Sequence, residues 1–213
     1  MRIALLLVGA YLFGSIPFGV IVGRAWRGID VRKFGSGNIG ASNVLRVLGP
    51  GPAAAVFIGD LLKGYAPVAA GRMLLAKWGT PELDLWLLPL GLAPTVGHSF
   101  SVFLRFSGGR AVTTTCGVLF ALAWPAAVIG LAIWGLVIAI TRYISAASIV
   151  AAISVPVYML LSGKRWEWLV FWSAVALLVI LRHIPNIKRL LAGTETKIGE
   201  RVEVDTKTGI PGA

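Results

Sequence analysis

A stretch of thirty residues without a charge runs from Ala111 to Ile140 and reads AVTTTCGVLFALAWPAAVIGLAIWGLVIAI. One helix of this length would measure about 45 Å, whereas the hydrocarbon core of a bilayer is about 30 Å thick. The stretch therefore predicts either one steeply tilted transmembrane helix or two short ones. Trp124-Pro125 favours a break, because proline interrupts helices and tryptophan is enriched at membrane interfaces.

The composition of the whole chain indicates an integral membrane protein. Of 213 residues, 57% are hydrophobic and only 14% are charged, more apolar surface than a soluble domain of this size can bury. The net charge of +11 is typical of proteins that meet nucleic acid or an anionic membrane, and the hydropathy excludes nucleic acid. The single cysteine, Cys116, excludes a disulfide framework and a zinc site built from cysteines.

Five further apolar stretches predict membrane spans. The first lacks a small-residue cleavage pattern after it, so we expect it to remain as a span and not to be removed as a signal peptide. The short loops leave room for one integral-membrane domain over residues 1–193 and a polar cytoplasmic tail over residues 194–213. The five predicted spans are Ile3 to Gly23, Pro52 to Leu75, Leu85 to Leu104, Ile144 to Leu161 and Trp166 to Leu181.

The basic residues decide whether the Ala111 to Ile140 stretch crosses once or twice. With a break at Trp124-Pro125, fourteen of the 20 Lys and Arg residues, including Arg201 and Lys207 of the tail, fall on one side of the membrane. Without the break, the two sides carry nearly equal numbers. The positive-inside rule favours the asymmetric arrangement. We therefore predict an all-α polytopic membrane protein with seven transmembrane helices, an external N-terminus and a cytoplasmic C-terminus.

Four polar segments fall on the predicted cytoplasmic side. The most unusual is Gly35-Ser-Gly-Asn-Ile-Gly-Ala-Ser-Asn43, followed by Arg46. Its glycines let successive amide N–H groups point into one concavity, a geometry that suits a phosphate, while a glycine-rich turn between helices is the alternative. The predicted phosphate-binding residues of this segment are Ser36, Gly37, Asn38, Gly40, Ser42, Asn43 and Arg46.

The other three polar segments supply further candidates. Gly108-Gly109-Arg110 could approach a ligand closely and bind phosphate through arginine, although an ordinary loop that obeys the positive-inside rule explains it as well. Ser145, the last residue of the polar segment that begins at Thr141, is a second candidate. His183 and Asn186 follow the last span, where a histidine can accept a proton or a hydrogen bond from a hydroxyl group.

Three ionisable residues inside the predicted spans favour structural roles. Asp60 and Lys63 are three residues apart, and charges within a membrane are costly unless they are paired, so we expect an ion pair that braces the site. His98 is predicted to be a buried structural histidine with Ser99 or Ser101 as its partners.

The sequence lacks the residues that several types of reaction require. The cytoplasmic side offers only Asp30 and the tail acids, which form no carboxylate cluster for magnesium, and no zinc-ligand spacing or Walker loop occurs. Neither histidine is followed five residues later by aspartate, the signature of soluble-type glycerolipid acyltransferases. No metal or cofactor is expected, and the remaining basic, amide and hydroxyl groups suit transfer from an already activated, phosphorylated substrate.

Five segments together resemble the bacterial acyl-phosphate:glycerol-3-phosphate acyltransferases. The resemblance implies a seven-helix enzyme of the bacterial inner membrane, with its active site facing the cytoplasm, that moves a fatty acyl group from acyl phosphate to the 1-position hydroxyl of glycerol 3-phosphate. The products would be lysophosphatidic acid and phosphate, at the first step of phospholipid synthesis. The segments are GSIPFG (14–19), DVRKFGSGNIGASN (30–43), GHSFSVFLRFSGGR (97–110), RYIS (142–145) and RHIPNIKRL (182–190).

The resemblance also implies residue roles and partners. The loop from Ser36 to Asn43 would cradle phosphate, Arg46 and Arg110 would bind phosphate, and a catalytic group would surround glycerol 3-phosphate. That group is Ser145, His183 and Asn186. A separate phosphate acyltransferase would supply the acyl phosphate, and neither coenzyme A nor acyl carrier protein would be the direct donor.

This chain departs from the family pattern at the position that follows the glycine pair. The family usually has Lys-Gly-Val-Ala-Thr there, and this chain has Arg110-Ala-Val-Thr-Thr114, while Ser42 stands where threonine is common. Arginine keeps the charge of lysine but changes its geometry. A small transporter of a phosphorylated metabolite, with the same basic pocket and no catalysis, is the alternative function.

Overall fold

The computed structural model describes residues 1–200, and the regular secondary structure of this part of the chain is entirely helical. Arg201, Lys207 and the rest of the predicted tail from residue 201 onward lie outside the described residues. Two short 3-10 turns, Val31–Lys33 and Val102–Leu104, accompany the α-helices. Within the described range these are α1 Arg2–Gly14, α2 Phe18–Arg27, α3 Ala41–Leu48, α4 Pro50–Lys77, α5 Leu83–Ser99, α6 Val112–Thr141, α7 Ile144–Leu161, α8 Trp166–Arg182 and α9 Ile184–Leu191.

The helices confirm a multi-pass membrane protein. Five helical segments of the described chain are long and apolar enough to cross a bilayer, and α8 with the bent α9 makes a sixth. Helices α4, α7 and α8 begin and end within two residues of the predicted spans. The predicted first span is interrupted, because the chain leaves helical geometry around Pro17 before α2 begins.

The third span ends earlier than predicted. Helix α5 stops at Ser99, and a 3-10 turn replaces the helix that was expected to continue to Leu104. The Ser101 hydroxyl donates a hydrogen bond to the Ser15 carbonyl oxygen at 2.6 Å, which fixes this end of α5 against the end of α1.

Helix α6 contains the break predicted near Trp124-Pro125. At Ala123 the backbone has φ −150° and ψ 69°, so two helical halves meet there at a kink. Pro125 lacks the N–H group that would bond to the preceding turn. Arg110 precedes α6 and Ser145 follows it, yet both line the same cavity. The two ends of α6 therefore lie near the same end of the molecule.

Glycines let two helix pairs approach each other closely. A Cβ atom at Gly64 of α4 would overlap the carbonyl oxygen of Thr114, and one at Gly117 of α6 would overlap that of Leu61. Gly14 of α1 and Gly97 of α5 make the same kind of reciprocal contact with each other's helix. These contacts bring the polar residues of α4, α5 and α6 together.

A buried polar cluster joins α1, α4, α5 and α6. It contains the expected ion pair, with Lys63 Nζ 2.8 Å from Asp60 Oδ1, and Lys63 also donates to the Ile16 carbonyl oxygen at 2.7 Å. The buried His98 has different partners from those predicted, because its Nδ1 lies 3.1 Å from Thr114 Oγ1 and 3.6 Å from Asp60 Oδ1. Ser101 is turned away to Ser15.

We expect Gly117→Ala to destabilise the bundle by about 2 kcal/mol, because the added methyl group forces α6 away from the backbone of α4. Thermal unfolding in detergent measures the loss. The matched control is Gly135→Ala in the same helix, where nothing lies within 4 Å of the new Cβ atom. Equal melting temperatures for the two variants would contradict the role given to this contact.

Candidate functional site

A cavity of about 590 Å³ lies where the polar segments meet. One part of its wall is apolar and comes from α4, α6 and α7, with Phe57, Leu119, Leu131 and Val155 among its residues. The cavity thus joins a polar region to an apolar one. The predicted site residues that line its polar part are Asn38, Gly40, Ser42, Arg46, Arg110, Ser145 and His183.

Two arginines, the buried Arg46 and the half-buried Arg110, give the polar wall its positive charge. Arg46 is 8% exposed on α3, and one of its Nη atoms donates to the Thr196 carbonyl oxygen at 3.2 Å. Burial lowers the pKa of Arg110 to about 10; Glu195 opposes the shift, whereas Arg189, Arg46 and Arg182 add to it. Both guanidinium groups stay protonated at neutral pH. An anion in the cavity would relieve their mutual repulsion.

Asn43 holds the glycine-rich loop in shape. The side chain is fully buried, and its Nδ2 lies 2.9–3.2 Å from the carbonyl oxygens of Val31, Phe34 and Asn38. Its Oδ1 accepts from the Ser36 N–H at 2.8 Å and from the Ser36 hydroxyl at 3.1 Å. The polar groups of Asn43 and Ser36 are therefore hydrogen-bonded within the loop itself.

Gly108 and Gly109 form a support for Arg110. A Cβ atom on Gly109 would overlap the imidazole ring of His98, and one on Gly108 would overlap the carbonyl oxygen of His98. The carbonyl oxygens of Gly108 and Gly109 accept hydrogen bonds from Arg182 at 2.7 Å and 3.0 Å. The glycine pair thus fixes the loop that carries Arg110.

His183 presents an acceptor to the cavity. Its Nδ1 lies 2.8 Å from the Val179 carbonyl oxygen, and since a carbonyl only accepts, Nδ1 carries the hydrogen. Burial lowers the pKa of His183 to about 4; the bond to Val179 opposes the shift and Arg110 adds to it. The ring is therefore neutral at pH 7 and its Nε2 is unprotonated.

The structure adds Glu195, a site residue that the sequence analysis missed. It lines the cavity, is 7% exposed, and bonds Ser145, Asn186 and Arg189. The analysis placed it in a polar tail beyond residue 193. The sequence did offer one signal. Glu195 is one of only 9 acidic residues in a basic chain, and it follows soon after the Arg182 to Asn186 segment.

Six predicted site residues do not form part of the cavity wall, because their polar groups or backbones contact neighbouring protein segments. They are Ser36, Gly37, Asn43, Gly108, Gly109 and Asn186.

Comparison with known proteins identifies the family. Residues 4–193 match the family described as glycerol-3-phosphate acyltransferase. The chain belongs to this family. The resemblance noted from the sequence motifs is confirmed.

Relatives with this description share much of the sequence over nearly the whole chain. A glycerol-3-phosphate acyltransferase of Synechococcus sp. (strain JA-3-3Ab) is 45% identical over 194 residues, which cover 91% of this chain and 92% of that protein. The protein of the same description from Desulforudis audaxviator (strain MP104C) is 44% identical over 198 residues, which cover 92% and 96%.

Two solved structures share the fold. Both are crystal structures of PlsY (YgiH), an integral membrane glycerol 3-phosphate acyltransferase. The glycerol 3-phosphate form is 37% identical, with a TM-score of 0.85 over 93% of this chain and 96% of that chain. The lysophosphatidic acid form is 36% identical, with a TM-score of 0.83 over 94% and 97%.

We expect Asn43→Asp to loosen the glycine-rich loop, because a carboxylate cannot donate to the three carbonyl oxygens and would face them with a buried charge. The expected loss is about 3 kcal/mol in unfolding free energy, with faster tryptic cleavage at Arg32 or Lys33.

The matched control is Asn38→Asp, because Asn38 Oδ1 accepts from the Gly40 N–H at 2.9 Å and a carboxylate keeps this bond. Cleavage of both variants at the wild-type rate would exclude the role given to Asn43.

Proposed function

We propose that the protein transfers a fatty acyl group from acyl phosphate to the 1-hydroxyl of glycerol 3-phosphate, giving lysophosphatidic acid and phosphate. The observation that carries this proposal is the single cavity, which places Arg46 and Arg110 beside an apolar wall. Phosphate groups suit the arginines, and an acyl chain suits the wall formed by α4, α6 and α7.

The reaction needs little acid–base chemistry from the protein. The hydroxyl oxygen of the acceptor attacks the acyl carbonyl carbon, the carbon–oxygen bond to phosphate breaks, and phosphate leaves with the bonding electrons. The hydroxyl proton passes to a phosphate oxygen, for which the acceptor's own phosphate is available. Arg46, Arg110 and amide groups of the Asn38 to Ser42 loop would stabilise the charge on phosphate. His183, neutral at pH 7, would orient the hydroxyl and leave its proton to phosphate.

We infer seven membrane crossings, with the cavity on the cytoplasmic side of the bacterial inner membrane. The kink at Ala123 and the shared position of Arg110 and Ser145 support two crossings by α6. The exposed Trp124, at the kink, suits the opposite membrane interface. Among residues 1–200, most of the lysines and arginines lie in the segments at the cavity end, which supports its placement inside the cell.

The donor assay tests the proposed reaction. Purified protein in detergent receives labelled glycerol 3-phosphate with either palmitoyl phosphate or palmitoyl coenzyme A. We expect lysophosphatidic acid from palmitoyl phosphate alone. Folded protein that forms product with neither donor would favour transport, and product from the coenzyme A thioester would contradict the proposed donor.

Variants of Arg110 serve as the internal comparison for this assay. Arg110→Ala should lower kcat/KM at least about 100-fold, since a charge-assisted contact to the substrate phosphate is lost. Arg105→Ala removes an exposed arginine from the same loop and should keep kcat/KM within about twofold. Equal losses in the two variants would place the anion site elsewhere.

Cysteine labelling tests the topology. In a Cys116→Ser background, we expect Lys164→Cys to react with a membrane-impermeant maleimide on intact cells. Ser107→Cys and Arg142→Cys, at exposed positions on either side of α6, should react only after the membrane is opened. Labelling of positions 107 and 142 from opposite sides would show that α6 crosses once.

A further inference from the structure

Glu195 bonds to two of the three side chains assigned to the acceptor substrate. Its Oε1 lies 2.8 Å from the Ser145 hydroxyl and 2.7 Å from Asn186 Nδ2, and its Oε2 lies 2.7 Å from Arg189 Nε. Burial favours the protonated carboxyl group, but the bonds from Asn186, Ser145 and Arg189 outweigh it and lower the pKa of Glu195. The carboxylate is therefore ionised at neutral pH and can only accept hydrogen bonds.

This direction of bonding fixes the hydrogens of the partners. The single hydroxyl hydrogen of Ser145 points to Glu195, which leaves lone pairs on Ser145 Oγ, and Ser145 lines the cavity. The Asn186 amide is held with its nitrogen towards the carboxylate. Its Oδ1 is buried and has no hydrogen-bond partner in the described part of the chain. Ser145 is thus left with an acceptor and no free donor, whereas Asn186 keeps its Oδ1 acceptor and the second hydrogen of Nδ2.

His183 also presents a hydrogen-bond acceptor to the cavity. His183 donates from Nδ1 to the Val179 carbonyl oxygen, so its Nε2 is also an acceptor. An acceptor group of this kind matches a substrate hydroxyl, which brings a hydrogen. It does not match a phosphate, whose oxygens need donors such as Arg46 and Arg110.

We propose that Glu195 is a positioning residue that sets the polarity of the hydroxyl subsite: by taking the hydrogen of Ser145, it leaves Ser145 Oγ, together with the acceptor Nε2 of His183, to receive the hydrogen of the glycerol 3-phosphate hydroxyl. The arginines then hold the phosphate of the same molecule. This inference rests on the proposed function and adds the way in which the site distinguishes glycerol 3-phosphate from other phosphate esters.

Glu195→Gln is the informative variant because glutamine keeps the shape of the side chain and replaces one accepting oxygen by a donating NH2 group. If the new amide oxygen faces Ser145 and Asn186, the amide nitrogen meets Arg189 Nε, donor against donor. If the amide turns over, its nitrogen faces Ser145 and Asn186, and the Ser145 hydrogen is released towards the cavity. The first arrangement keeps the Ser145 hydrogen on residue 195 but loses the bond from Arg189. The second keeps the bond from Arg189 and reverses the polarity of Ser145, and this is the arrangement that the binding experiment detects.

The experiment compares binding of glycerol 3-phosphate with binding of propyl phosphate, which has the phosphate and lacks both hydroxyls. Isothermal titration in detergent requires no acyl donor. Glu195→Gln should weaken glycerol 3-phosphate at least about tenfold and change propyl phosphate less than about threefold. Glu200→Gln is the matched control, because its carboxylate accepts from the Lys197 N–H on the same segment and acts on the phosphate-binding Arg46, so this variant should leave the ratio of the two affinities unchanged.

Three results would overturn the inference. An equal loss of affinity for both ligands would mean that Glu195 only holds the fold. Tighter binding of both would mean that the carboxylate blocks the phosphate position. Wild-type protein that binds the two ligands equally would exclude a hydroxyl subsite. Wild-type protein that selects glycerol 3-phosphate but transfers no acyl group would contradict the proposed reaction without contradicting this inference.

A second variant covers the case in which Glu195→Gln does not fold. Ser145→Ala removes one of the two acceptors and should show the same selective loss for glycerol 3-phosphate. In the double variant the two losses should not add, because the substitutions remove parts of one arrangement. Full additivity, or unchanged selectivity in Ser145→Ala, would contradict the inference.

Discussion

The site depends on a balance of charge in a partly dehydrated cavity wall. Burial disfavours charged groups, and crowding of arginines adds repulsion, yet Arg46, Arg110 and Arg189 lie near the carboxylate of Glu195, with Glu200 as a further opposing charge at Arg46. Glu195 compensates part of the positive charge and leaves an excess for an incoming anion. Both substrates of the proposed reaction carry phosphate, so binding would complete the compensation.

The helix bundle supplies the geometry that this balance requires. Glycine contacts between α4 and α6 bring Thr114 close to His98, and His98 supports the glycine pair that precedes Arg110. The kink in α6 then returns the chain so that Ser145 faces the same cavity. Packing inside the membrane thereby determines the positions of groups at its margin, and a shift in one helix would move several of them together.

The sequence predicted much of this arrangement because membranes impose simple rules. Apolar length gave α4, α7 and α8 almost to the residue, and Trp124-Pro125 marked the kink in α6. Hydrogen-bond partners follow no such rule. Asn43 was expected to face a ligand and instead braces its own loop, while Glu195 was missed because nothing in local sequence shows that a polar tail folds back onto the site. Such contacts depend on residues far apart in the chain.

Arg110 illustrates how the environment selects a residue type. The family pattern that the sequence motifs resemble has lysine at this position. Burial and neighbouring arginines lower the pKa of Arg110 to about 10, a value at which the side chain is still fully charged at pH 7. A lysine begins about two pKa units lower, so the same surroundings would bring it much closer to neutrality. Arg46, Arg182 and Arg189 lie near this position. Beside them arginine stays charged, whereas lysine would lose its proton more readily. Arginine at this position is therefore compatible with an anion site.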